Sequence, residues 1–123
     1  MLFQQPSLLA ELQRMDAASL DELAFGVIGF DATGHVCRYN AFESRTSGLT
    51  PAQVLGRPLF TEVAQCMNNF LVANKFEEAA AAGKPLDETV PFVLTWRMKP
   101  TKVQLRMLFA PDAPVRYVLL QRA

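Results

Sequence analysis

The chain has 123 residues, 50% of them apolar, 20% charged and 10% aromatic, which is the composition of one globular domain and excludes a disordered or collagenous polymer. Twelve basic residues balance twelve acidic ones and no run of Lys or Arg occurs, so the positive surface that a phosphate backbone requires is absent and nucleic acid is not an expected partner. No apolar stretch approaches the roughly 20 residues of a membrane helix, no basic cluster precedes an apolar core at the start, and Cys37 and Cys66 without clustered histidines form neither a disulfide framework nor a zinc site, so a cytoplasmic protein without metal or membrane span is expected.

In chain order, Ser7 followed by Leu8, Leu9, Leu12 and Met15 places an apolar stripe at helical spacing, and Ser19-Leu20-Asp21-Glu22 has the form of a capping box. Residues 1–23 thus form a cap of short helices, and residues 24–123 the core of the same domain. Residues 24–30 read as a buried strand, Asp31-Ala32-Thr33-Gly34 as a turn and His35 to Tyr39 as the antiparallel partner. Thr50-Pro51-Ala52-Gln53 supplies an N-cap, a proline at the first helical position and a reciprocal Gln, with Gly56 and Pro58 as stops. Val72, Phe76, Ala79 and Ala80 give residues 69–82 one apolar face, ended by Gly83 and Pro85. The period then falls to two: Val90, Phe92, Leu94, Trp96 and Met98 alternate with more polar neighbours, and strands through Val103 to Phe109 and Val115 to Leu119 follow. Pro91 cannot donate to a ladder and marks an edge, a bulge or a solvent-facing position. The fold class is α+β: one antiparallel five-stranded sheet with helices on one face and the N-terminal helical cap.

Few residues offer chemistry. Cys66 lies just before the long helix, where the positive helix end favours a thiolate; the competing reading is an inert buried cysteine, and for Cys37 that reading is stronger. Tyr39 and Glu43 are four apart where a strand gives way to a helical turn, so both side chains can converge on one pocket. An inward Glu43 must be protonated or paired; an outward Glu43 lies near Arg45 on an exposed helix face. Asn40 reads as a cap, Ser47-Gly48 as a helix terminus, and His35 as a solvated side chain. No triad spacing or glycine-rich phosphate cradle occurs, and no enzyme activity is expected.

The stretches Leu20-Asp21-Glu22-Leu23-Ala24-Phe25-Gly26, Tyr39-Asn40-Ala41-Phe42-Glu43, Gln53-Val54-Leu55-Gly56, Val63-Ala64-Gln65-Cys66 and Met98-Lys99-Pro100-Thr101-Lys102-Val103 together resemble the photoactive yellow protein family of PAS-fold blue-light receptors. The resemblance spans nearly the whole chain. It implies that Cys66 carries p-coumaric acid (4-hydroxycinnamic acid) as a thioester, that Tyr39 and a protonated Glu43 hydrogen-bond its buried phenolate, and that Ser47 supports Tyr39. It further implies that Leu49, Val63, Ala64, Leu94, Trp96 and Met98 line the pigment, with Met98 hastening its thermal re-isomerisation. Light would isomerise the double bond, Glu43 would give up its proton, and a buried carboxylate without a cationic partner would drive unfolding of the segment from Ser7 to Leu23.

The chain departs from the family pattern at four positions. Leu49 stands where the best-known members have an arginine over the pocket, and a higher phenolate pKa is the expected consequence. Ser47 replaces threonine, Gln65 replaces a proline before the cysteine, and Trp96 replaces a tyrosine. The implied protein is a monomer or weak dimer signalling to an unidentified downstream protein. The alternative is a PAS-like module using the same pocket for a noncovalent small molecule or for dimerisation, which Leu49 favours; a cysteine enzyme would lack a histidine base.

Overall fold

A computed structural model describes residues 2–95 and 100–122. The expected elements on Trp96 and Met98 lie outside these residues. Helices α1 (Leu8–Arg14) and α2 (Ala17–Leu20) precede the hairpin β1 (Gly26–Phe30) and β2 (Val36–Tyr39); α3 (Ala41–Ser47), α4 (Pro51–Val54) and α5 (Ala73–Ala82) follow, then β3 (Leu86–Leu94), β4 (Thr101–Phe109) and β5 (Arg116–Arg122). The five strands form one antiparallel sheet in the order β2-β1-β5-β4-β3, so the first and last strands pair at its centre.

Local chemistry explains most boundaries. Asp31 Oδ1 accepts from the Thr33 and His35 amides at 2.9 and 3.1 Å, and Gly34 supplies the positive φ of 86° that closes the β1–β2 turn. The capping box at α4 is present, with Thr50 Oγ1 accepting from the Gln53 amide and Gln53 Oε1 from the Thr50 amide. The expected capping box at Ser19 is not: Asp16 caps α2 by accepting from the Ser19 amide at 2.8 Å, because Ser19 already lies inside the helix. The long helix begins at Ala73 rather than residue 69. Asn69 Oδ1 accepts from the Leu71 and Val72 amides and so closes a turn that ends before the helix begins. Strand β3 starts at Leu86, earlier than alternation suggests, and as an edge strand it tolerates the polar Asp87-Glu88-Thr89 and Pro91.

The period of two along β1, β4 and β5 creates two apolar layers. Ile28, Phe30, Met107, Val118 and Leu120 pack beneath the central helices, with Val54, Leu59, Val72 and Phe76. Val27, Leu108, Tyr117 and Leu119 face the other way and are covered by Phe3, Leu8, Leu12 and Leu20. The N-terminal cap therefore takes the sheet face opposite α3, α4 and α5, and without it a row of strand side chains would meet water.

Two arginines fasten that cap. Arg106, 5% exposed in the middle of β4, donates from Nη1 to the Phe3 and Gln5 carbonyls at 2.8 and 2.9 Å and forks onto Asp87 through Nε and Nη2. Arg38 of β2 donates to the Leu12 carbonyl at 2.7 Å, to the Tyr117 hydroxyl and to the Met15 carbonyl. One fixes the start of the cap and the other the end of α1.

Candidate functional site: a buried acid beside a tyrosine–serine pair

Three short features deliver the candidate side chains to one layer of the core. Tyr39 ends β2. Asn40 then caps α3, its Oδ1 accepting from the Glu43 amide at 3.1 Å and the Val27 amide at 3.0 Å, while its Nδ2 donates to the Leu20 and Phe25 carbonyls at 3.0 Å each. This fully buried amide ties the cap, β1 and α3 together, a larger role than that of the turn residue it resembles in sequence. With α3 started there, Glu43 and Ser47 fall four residues apart on its inward face, and both are buried.

Glu43 is fully buried, which settles its direction in favour of the inward reading. Arg45, the neighbour in the outward reading, is exposed and stacks over Phe42, 5.9 Å from the ring centre. Room for the carboxyl comes from Gly26: a Cβ at that position would lie 2.1 Å from Glu43 Oε1. Oε1 accepts from Arg122 Nη1 at 3.4 Å, and Oε2 is buried without a hydrogen-bond partner. Burial pushes the Glu43 carboxyl up to about 7, against the opposing pull of Arg122. The expectation of an acid with no cation nearby is therefore corrected, because β5 carries Arg122 on the same face as Val118 and Leu120.

Tyr39 hydroxyl and Ser47 Oγ are 2.6 Å apart. Ser47 Oγ also accepts from the Leu49 amide at 3.1 Å, so its own proton can go to Tyr39 and leave the phenol proton free for an acceptor. Burial, and secondarily the charge of Glu43, push the Tyr39 phenol up to about 12 despite the Ser47 bond, so Tyr39 is a donor at neutral pH.

The remaining candidates belong to the same core layer in different degrees. Val63, Ala64 and Leu94 are buried in the same layer as Tyr39, and Leu49 and Cys66 pack against it, each partly exposed. Leu49 and Val63 also line a surface depression with Gln53, Val54, Arg57, Glu62 and Gln65, so they wall the layer off from solvent. Cys66 lies in a 3-10 turn, Gln65–Met67, after a π turn over Leu59–Val63. Helix α5 starts only at Ala73, so Cys66 does not directly precede that helix as expected; Asn69 Nδ2 donates to the Cys66 carbonyl at 3.0 Å and braces its backbone. Cys37, expected to be buried, is exposed on the edge strand β2, and burial of its neighbourhood together with Asp31 pushes its thiol up, away from the reactive form. Trp96 and Met98 lie outside the described residues.

These residues fit an aromatic acid attached to Cys66. With Glu43 protonated on Oε2 and Ser47 donating to Tyr39, the acid and the phenol would be two donors in an apolar layer, the set that a desolvated phenolate requires. Among the described residues no group of three or more acidic, His or Cys side chains is placed to hold a metal ion, and no helix is long and apolar enough to cross a membrane.

No protein-family profile matches the chain. It is 32% identical over 120 residues to photoactive yellow protein of Rhodothalassium salexigens, covering 98% of this chain and 95% of that one. It is 38% identical over 96 residues to photoactive yellow protein of Halochromatium salexigens, covering 78% and 76% of the two chains. Among solved structures, the photoactive yellow protein domain of the sensor histidine kinase Ppr from Rhodospirillum centenum superposes with a TM-score of 0.80 at 37% identity, over 88% of this chain and 94% of that one. The strand order and this superposition carry the expected PAS-like architecture.

Proposed function

Since the chain belongs to the photoactive yellow protein family, we propose that it is a blue-light receptor that holds p-coumaric acid as a thioester on Cys66, turns over no substrate and signals by a change in its own structure. The observation that carries this reading is Glu43: a fully buried carboxyl whose Oε2 has no partner, next to a Tyr39–Ser47 pair with one proton to give. A buried polar atom without a partner costs about 1–3 kcal/mol, a cost that a hydrogen-bonding ligand removes.

When bound, the pigment supplies light absorption and a double bond that isomerises. Every other function falls to the chain. Cys66 provides the attachment sulfur from a turn braced by Asn69. Tyr39 Oη and a protonated Glu43 Oε2 would be the donors that hold the phenolate oxygen, and Ser47, accepting from the Leu49 amide, can give its own proton to Tyr39 and leave the phenol proton free. Leu49, Val63, Ala64 and Leu94 exclude water, which strengthens hydrogen bonds made inside the layer but disfavours a charge there, a cost that the Tyr39 and Glu43 donors would have to offset. Glu43, pushed up to about 7, is poised to release its proton from Oε2 once the acceptor becomes more basic. The charge left behind lies against Gly26 and α3, whose cap Asn40 also holds the Leu20 carbonyl, which gives the N-terminal cap a route to respond. A released cap would expose the apolar row Val27, Leu108, Tyr117 and Leu119 to a downstream protein.

Mixing the purified chain with activated p-coumaric acid tests the reading. The expected result is a mass gain of one acyl group per chain and a visible band that bleaches in blue light and recovers in the dark, lost in Cys66→Ala and kept in Cys37→Ala. No mass gain, or attachment at Cys37, would overturn it, and reversible binding without mass gain would favour the noncovalent module.

A further inference from the structure

Arg122 lies near the buried acid and belongs to none of the stretches that carry the family resemblance. It stands at the end of β5, paired with Val103 of β4, and its side chain, 20% exposed, turns inward so that Nη1 is 3.4 Å from Glu43 Oε1. The position follows from the sheet. Gly26 pairs with Leu120, and Arg122 lies two residues further along β5 on the same face, beside the space that Gly26 leaves for the carboxyl. Among the described residues, the titratable groups facing Glu43 are Arg122 from β5 and the Tyr39 phenol from β2; β1 contributes the uncharged Gly26, and α3 itself the uncharged Ser47.

We propose that Arg122 is a positioning residue and built-in counter-ion for Glu43, holding Oε1 so that Oε2 is the free oxygen and neutralising the carboxylate that remains after the proton leaves. The two carboxyl oxygens then have separate duties: one is anchored by the guanidinium, and the other is left for the proton and its acceptor. This inference rests on the reading of Glu43 as the internal proton donor, and it changes that reading in one respect. A buried carboxylate facing a guanidinium is less strained than an isolated one, so the light-activated state of this chain is stabilised by a cation supplied from the C-terminal strand.

The test starts without pigment. In the full chain labelled with 13C at glutamate carboxyls, an NMR titration follows Glu43 in the parent, Arg122→Gln and Arg122→Lys. The expected result is a midpoint about one pH unit higher in Arg122→Gln, equivalent to tenfold less favourable proton release, and largely restored in Arg122→Lys. A Glu43 midpoint in Arg122→Gln equal to or below the parent value would overturn the proposal, as would failure of the Lys variant to restore it in a folded protein. In pigment-loaded protein, infrared difference spectra should show a smaller light-induced loss of the Glu43 carbonyl band in Arg122→Gln than in the parent, and an equal or larger loss would overturn the counter-ion role. If no pigment attaches, the light-receptor reading fails while the titration still decides whether Arg122 governs the acid.

Discussion

Replacing Arg106 by Met should loosen the N-terminal cap without unfolding the core. Arg106 makes four hydrogen bonds, two to Asp87 and two to the Phe3 and Gln5 carbonyls. The Asp87 side chain is 54% exposed, so that ion pair contributes at most about 1 kcal/mol. The carbonyl bonds matter more, because they are charge-assisted and the guanidinium giving them is almost wholly buried. At the low end of about 1.5 kcal/mol each they hold the cap by about 3 kcal/mol. Since every 1.4 kcal/mol is a factor of ten, amides of residues 8–20 in Arg106→Met should exchange with solvent about a hundredfold faster than in the parent. Methionine fills most of the vacated volume, and the central strands keep their ladder, so amides of β1 and β5 should change far less. Hydrogen exchange read by peptide mass spectrometry separates the two regions. Exchange of the cap within threefold of the parent rate would refute the tether, and a uniform rise through all peptides would show that Arg106 supports the whole fold instead.

Three further outcomes follow from the same geometry. Gly26→Ala, whose Cβ would sit 2.1 Å from Glu43 Oε1, should cost about 1–3 kcal/mol in urea unfolding and abolish the visible band on reconstitution, and a variant with the parent's spectrum would show that Glu43 does not need that space. Asn40→Ala strands two amides and two carbonyls and should lower stability by about 3 kcal/mol, seen as a thermal midpoint about 10 °C lower; a drop of only a degree or two would reduce it to an ordinary cap. In the pigment-free protein, Glu43 is raised from 4.5 to about 7, so between those values the folded state binds more proton than the unfolded state. Stability from this group, about 3 kcal/mol, is fully present below pH 4.5 and is lost as the pH rises through 7. Urea midpoints should fall across that window in the parent and lose this component in Glu43→Gln, and identical profiles would contradict a raised acid.

The sequence was most readable where structure is set by neighbours along the chain. The hairpin turn at Asp31 to Gly34 and the box at Thr50 to Gln53 follow from side chains two or three residues from the backbone groups they bind. Tyr39, Glu43 and Ser47 share that advantage, since one strand end and two turns of helix carry all three. Even there the periodicity left Glu43 facing either way. Its direction is decided by Gly26, seventeen residues earlier, whose missing side chain makes the inward rotamer possible. The spacing could not reveal that cavity until β1 and α3 were known to touch.

Residues joined only by the sheet were the least legible, and they are the ones that modulate the site. Arg106 reaches carbonyls 101 and 103 positions away, and Arg122 reaches a carboxyl 79 positions away. Both stand in strands whose alternation predicts a face but not what lies opposite it. Arg122 continues the buried row of Val118 and Leu120, where period two alone argues for another apolar residue. A charge at such a position is tolerable only if something answers it, and the residue that answers it is Glu43. An arginine breaking the apolar row of a central strand was therefore the available signal for a buried acid on the facing helix. Arg106 gives no such signal: it falls with Lys102 and Gln104 in the polar set of β4, and only its burial under the cap sets it apart. Both buried arginines mark a joint, Arg122 between the acid and the sheet and Arg106 between the sheet and the segment proposed to let go, but only Arg122 breaks the alternation of its strand.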